Sequence, residues 1–512
     1  MVVGQSSNQI QFAYSLLSTC KSPFTIWIVK KRLVSQYYLE IVQALLTNYQ
    51  IQNNWYTDTD ANANSTCLFS QLMEDHCCRI IDVEALEQID VEALEQCMKA
   101  ELRSDSPLSA TCCIFRVPEV LRRRKPEAYA PDVVSIGPFH HRSSKLFATM
   151  KDVKQWYLNS LLLRNNVSLK ALIQGIDNIT GFEKRARDYY AESIDHLNRY
   201  QFIEMMIIDG CFLLELFQRN DDSVPITNCK RNDPLSNMSC MVQYLCHDLM
   251  LLENQLPWFV LESLYGLTCD KQVPLTTLVL KFFNRLSSLY AYCNDYSIYT
   301  HDDETLHILD LIRSAIVVPF KRFESIKCDS AQLPHATALL ESAGIEFKRS
   351  FAAGLMSIDF KDGVLKIPQL EIAEMTEPLF RNLIAFEQCY HGRQHMITSY
   401  ALLMDKLIAS SEDVVLLCDR GIIQNWLGAE DVSQLFSTLY SDTLVTGFCY
   451  GGLCAEVNEY YKGRWNQWLA RLKHDYLSDP WKIISLVAAV ILLVLTLLQT
   501  MYTIQQYHSP PK

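Results

Sequence analysis

The chain has 512 residues, 49% hydrophobic and 20% charged, a composition that folds rather than stays disordered. Its formal charge of −12 argues against a nucleic-acid binder, because neutralising phosphates needs a surplus of Lys and Arg. At this length two or three domains of ordinary size are expected.

Residues 1–80 stand apart as an N-terminal extension containing the polar stretch Thr57–Asn62. Met1–Cys20 has no basic start followed by a clean apolar run, because Gln5, Ser6, Ser7, Asn8 and Gln9 interrupt it, so no secretory signal is predicted. Residues 81–475 form the predicted helical domain. It opens on an exact duplication, IDVEALEQ at Ile81–Gln88 and again at Ile89–Gln96, with apolar residues at helical spacing. Two copies of eight are too few for a repeat fold, so an exposed helix is expected. The dense basic run Arg122-Arg123-Arg124-Lys125 ends at Pro126 and reads as a solvated loop or helix end.

The periodicity predicts helices over Leu146–Leu172 and Phe182–Phe217, the second almost wholly apolar around Phe202, Met205, Met206, Cys211 and Leu214. A loop rich in Asn, Asp, Ser and Pro follows over Gln218–Asn237. Met241–Tyr265 reads as another buried helix, which Pro257 should kink or end at Leu256. One hairpin is predicted, Ser357–Phe360 and Val364–Ile367 around Lys361-Asp362-Gly363, with helices again from Pro378 to Leu439. Tyr461, Trp465, Trp468, Leu469, Leu472 and Tyr476 then make an amphipathic stripe. The expected fold is mainly α: a large helical domain with a small β-hairpin, then one C-terminal transmembrane helix.

That last helix, placed with its interfacial flanks at 476–504, is the strongest single signal. No charged residue lies between Lys482 and His508, and twelve of the sixteen residues from Ile483 to Leu498 are Leu, Ile or Val. Ile483–Ile504 spans about 33 Å as a helix, against a hydrocarbon core of about 30 Å. Ile483, Leu486, Val490, Leu493, Leu497 and Ile504 would face lipid, and residues 505–512 form a short polar tail. Lys462, Arg464, Arg471, Lys473 and Lys482 precede the helix and only Lys512 follows it, which predicts a cytoplasmic main domain.

Eighteen cysteines occur, but Cys211, Cys246, Cys389 and Cys418 lie in apolar stretches where Cys behaves as a small hydrophobe, so no disulfide framework is expected. Three apolar stretches also hold polar groups that burial would penalise: Asp209 and Glu215; Glu253, Asn254 and Gln255; Asn382 and Glu387. A carboxylate-lined metal site is one reading. However, the Glu-x-x-His pairs of di-metal bundles are missing, and His391 and His395 are separated by Gly392. The seven residues are therefore read as a buried polar network that sets helix register or caps helix ends. No G-x-S-x-G, P-loop or G-x-G-x-x-G occurs, so no catalytic residue, cofactor or metal is assigned.

Six stretches together resemble the plant family catalogued as domain of unknown function 247: Cys112–His141, Ile207–Phe217, His247–Tyr265, Val364–Ile372, Asn382–Cys389 and Pro480–Tyr502. They run over Ser109–Tyr502, about three-quarters of the chain; residues 1–80 depart from the short acidic lead-in of such proteins. The resemblance implies a plant protein with a C-terminal membrane helix and no established enzymatic activity. Some grass members are implicated in self-incompatibility, acting with small secreted partners. Together these readings point to a membrane-anchored recognition or signalling protein with the lipid bilayer and a protein or peptide as partners. The rivals are a membrane-bound enzyme using buried carboxylates or a metal, and a structural scaffold that self-associates.

Overall fold

A computed structural model describes residues 91–102, 106, 108–141, 144–221, 233–235, 238, 240–269, 273–284, 305–317, 336–351, 354–463 and 480–508, with backbone only at 144–149, 480–483, 486 and 506–508. The extension 1–80, the first octapeptide copy, Asn237 and the stripe from Trp465 to Tyr476 lie outside the described residues. The chain divides into two units, Met1–Asp105 and Ser106–Lys512. In the first, α1 (Val91–Glu101) carries most of the second octapeptide copy with none of its residues buried, and Lys99 pairs with Glu95 one turn earlier at 2.6 Å.

The second unit opens with the single turn α2 (Glu119–Arg122) and a 3₁₀ turn at Pro126–Tyr129. Next come α3 (Ser144–Arg164), α4 (Leu169–Asp177), α5 (Phe182–Asp188) and α6 (Arg199–Arg219). Asn198 and Gln201 close a capping box at the start of α6, satisfying two N–H groups that a helix start leaves open. From Asp209 to Arg219 every residue of α6 is buried, which makes it the central helix of this unit. It packs on α3, on α8 (Trp258–Thr268) and on α9 (Leu275–Phe283).

Between α6 and α8 lies α7 (Met241–Leu249). The helix expected from Met241 to Tyr265 is thus two helices, and the first stops at Leu249, well short of Pro257. Pro257 is the N-cap of α8 and not a kink, because its φ of −55° with an extended ψ suits a helix entry. The two long predicted helices upstream likewise each divide in two, at 165–168 and 189–198.

Further on come α10 (Ile308–Val317), α11 (Thr337–Ser342), β1 (Glu346–Ser350), β2 (Asp359–Lys361), β3 (Val364–Pro368) and β4 (Leu370–Ile372). The predicted hairpin is β2–β3, pairing Phe360 with Leu365 across Asp362 and Gly363, both at positive φ. Two features were not expected. β1 adds to β3 in parallel, and β4 pairs in parallel with β5 (Ile423–Asn425), which falls inside the stretch read as helices. These strands have three to five residues, and β1 buries only Phe347, too little alternation to show in a pattern.

Around that pair lie α12 (Thr376–Cys389), α13 (Met396–Leu407), α14 (Ser411–Asp419), α15 (Ala429–Leu439) and α16 (Gly451–Lys462). The last element, α17, runs from Pro480 to His508, four residues beyond the predicted end at Ile504. Its segment Val487–Gln505 is long and apolar enough to cross a membrane, and none of its residues is buried among the described residues. Val490, Leu493, Leu497 and Ile504 are all exposed on it.

Candidate functional site

Residues 250–256, Met-Leu-Leu-Glu-Asn-Gln-Leu, connect α7 to α8 without being helical, and none is more than 1% exposed. Irregular backbone is rarely buried, because its N–H and C=O groups have no ladder to join. Here side chains take the place of a ladder. Asn254 donates to the carbonyls of Val134 and Asp248 at 3.0 and 2.9 Å and accepts from the N–H of Ile136 at 2.6 Å. Gln255 donates to the carbonyls of Leu249 and Leu251 at 2.8 Å each and accepts from Leu309 N–H at 3.2 Å. From α12, Asn382 accepts from Leu252 N–H at 3.0 Å and donates to Ala128 O and Pro378 O.

The segment lying against this connection, Asp132–Gly137, is held in the same manner. Asp248 accepts from three successive N–H groups, those of Asp132, Val133 and Val134, at 2.9, 2.7 and 2.7 Å. Lys154 of α3 donates to Ser135 O at 2.5 Å, and Asp209 of α6 accepts from Gly137 N–H at 2.9 Å while pairing with Lys154 at 2.5 Å. Gly137 has φ +73°, and a Cβ there would come within 2.7 Å of the Gln255 carbonyl oxygen. The two irregular segments can meet this closely only because that residue has no side chain.

Glu253 anchors the front of the connection. One carboxylate oxygen accepts from Val117 N–H at 2.7 Å and from the Arg122 guanidinium; the other lies 3.2 Å from His140 Nε2 and 3.6 Å from Arg116. Burial pushes its carboxyl up, but the bonds from His140 and Val117 and the charge of Arg122 outweigh that and hold it below the ordinary range. The basic run is therefore not simply solvated. Arg122 binds Glu253, Arg123 and Arg124 both reach Asp442, and Lys125 lies 3.3 Å from Glu377. Single-residue spacing gave no hint of those acidic partners, which arrive from distant segments.

The other two predicted residues sit elsewhere. Glu215 bridges Arg164 at 2.6 Å and Arg219 at 2.7 Å, and Arg219 continues to Asp233, which also accepts from the Tyr157 hydroxyl at 2.9 Å. Glu387 caps the start of α13, accepting from the N–H groups of Met396, Ile397 and Thr398 at 3.0–3.1 Å and pairing with Arg313 at 2.8 Å. Five of the seven thus surround the connection and its facing segment, while Glu215 and Glu387 serve two separate clusters.

Asp248, Lys154, Arg122 and Arg313 were missed. Lys154 did leave a trace: with Met150, Tyr157 and Leu161 it falls on the buried stripe of α3, where a lysine must find a carboxylate. Asp132, His247 and Asp248 bring three possible metal-binding atoms within 4.8 Å. Asp248 is already held by three N–H groups and by His247 Nδ1 at 2.9 Å, which makes the cluster a backbone clamp. The eleven described cysteines are free thiols. Burial pushes Cys112 up to about 11 and Cys389 and Cys449 to about 12, so these stay protonated and weakly nucleophilic at neutral pH. The carboxylates described above hold backbone and cations in place, a structural chemistry.

A family model described as a plant protein of unknown function, DUF247, matches residues 114–495. The chain is similar to UPF0481 protein At3g47200 of Arabidopsis thaliana, 30% identical over 441 residues, covering 78% of this chain and 88% of that protein. It is also similar to putative UPF0481 protein At3g02645 of Arabidopsis thaliana, 24% identical over 505 residues, covering 78% and 92%. No solved structure matches it.

Proposed function

The chain belongs to the plant family DUF247, whose function is not established, and we propose that it is a membrane-tethered recognition protein without catalytic activity. The observation that carries the proposal is α17, whose span Val487–Gln505 is wholly apolar but for scattered Thr, Gln and Tyr and has none of its residues buried among the described residues. Exposing such a helix to water is unfavourable by about 25 cal/mol per Å² of apolar surface, whereas lipid accommodates it and its backbone bonds are satisfied internally.

The second support is the polar network. Its buried carboxylates hold the backbone and pair with cations, which suits a rigid scaffold presenting a surface to a protein or peptide partner. The helical domain would lie on the cytoplasmic side, following the excess of Lys and Arg before α17.

The test is extraction of the full chain, expressed in plant cells, from vesicles with alkaline carbonate. Retention in the pellet is expected. Release into the supernatant would overturn the tether, and the recognition reading with it.

A further inference from the structure

A cleft of about 430 Å³ opens between α3 and the first half of α6, sharing Lys154 and Asp209 with the polar network. Its floor is the ion pair of Lys154 and Asp209, its walls include Met150, Met205 and Ile208, and His141 lies at its edge. A larger groove of about 1040 Å³ shares Gln155, Glu204 and Ile208 with it and continues along Leu158, Ile173 and Ile207.

The side chain of Lys154 is only 8% exposed, and its ammonium carries three N–H groups. Ser135 O and Asp209 take two of them; the third has no acceptor among the described residues. Asp209 balances the charge of Lys154 and also accepts from Gly137 N–H, so the lysine offers the cleft a charged donor and not a surplus of positive charge. An unmatched N–H on a buried cation is unfavourable, and an anionic oxygen in the cleft would meet it with a charge-assisted hydrogen bond. Lys151 and Lys154 stand against Glu204 and Asp209 in the lining, a balance that disfavours a multiply charged group such as phosphate and favours a single carboxylate. The apolar walls leading into the groove suit a hydrocarbon portion.

We propose that this cleft binds a small amphipathic organic acid, its carboxylate on Lys154 and its apolar part along Met205 and Ile208 into the adjoining groove. The proposal goes beyond the tethered-recognition reading and stands whether or not α17 lies in lipid.

The test uses the full chain in lipid nanodiscs, with empty nanodiscs subtracted, and titration calorimetry with octanoate, octanamide and inorganic phosphate. Octanoate should bind at least about tenfold more tightly than octanamide or phosphate. Gln155→Trp, at an exposed rim position where the two spaces join, should abolish binding while leaving the fold intact. The double variant Lys154→Met with Asp209→Asn, which leaves no unpaired buried charge, should remove the preference for acid over amide. Equal binding of acid and amide, preference for phosphate, no binding at millimolar concentration, or octanoate binding unchanged by Gln155→Trp would each overturn the proposal. None of these outcomes bears on the carbonate extraction, so the two readings fail separately.

Discussion

His307 is fully buried and its ring meets Phe386 edge-on at 4.8 Å, while Nδ1 accepts from Asp310 N–H at 3.2 Å. Burial depresses its pKa to about 4 against an ordinary 6.5. The folded chain therefore keeps this ring neutral at a pH where the unfolded chain protonates it. Stability from this group is full above about pH 6.5 and is lost as pH falls towards 4, by up to about 3 kcal/mol. Glu253, whose carboxyl is held below its ordinary 4.5, adds a loss of the same sign at lower pH: its contribution is present above 4.5 and declines below it. Urea unfolding of the detergent-solubilised chain at pH 7 and pH 4.5 should show a smaller loss in His307→Asn, which keeps an acceptor for Asp310 but does not titrate. Equal losses in the two proteins would refute this account. Neither group could be assigned such a role from its neighbours in the chain, because the burial of His307 and the approach of Arg122 and His140 to Glu253 are decided by tertiary packing.

At the scale of elements, the connection 250–256 behaves as a core element despite having no regular structure. Its side chains bond the facing segment 132–137, and α3, α6 and α12 supply Lys154, Asp209 and Asn382 from three further directions. Such an arrangement tolerates little adjustment. Gly137→Ala would place a Cβ 2.7 Å from the Gln255 carbonyl at a positive φ, two penalties together amounting to roughly 2–4 kcal/mol. A clear drop in the urea midpoint is expected, and a variant as stable as the parent would show that the segments can separate without loss.

The sequence reading placed polar residues at 253–255 in a helix near a proline. It reads them as part of a network that sets helix register or caps helix ends, whereas the helix has already ended at Leu249. Apolar content predicted burial here correctly; the type of element was decided by partners that periodicity does not contain. The short parallel strands β1, β4 and β5 escaped for the same reason, since each exists only through its pairing.

At the scale of the whole molecule, orientation across a membrane is the property with the widest consequences, because it sets both the redox environment and the class of partner. The sequon at Asn166 is well suited to report it. Asn166 is exposed, sits at φ +54° in the turn before α4, and is followed by Ser168, whose side chain caps that helix. With the main domain in the cytoplasm, the chain made in plant cells should show no mass shift on treatment with a peptide N-glycosidase. A shift that disappears in Asn166→Gln would place the domain outside and expose its free thiols to an oxidising compartment.

The sequence by itself determined the mainly helical class, the apolar C-terminal helix and seven of the buried polar residues, because these depend on composition and local spacing. The tertiary structure alone decided what each polar residue holds. Val117, Val134 and Ile136 meet Glu253, Asp248 and Asn254 across more than a hundred residues of chain, and hydrogen bonds over that separation leave no periodic trace. It also decided that Lys154 and Asp209 form the floor of a cleft, since the space between two helices belongs to neither helix's sequence.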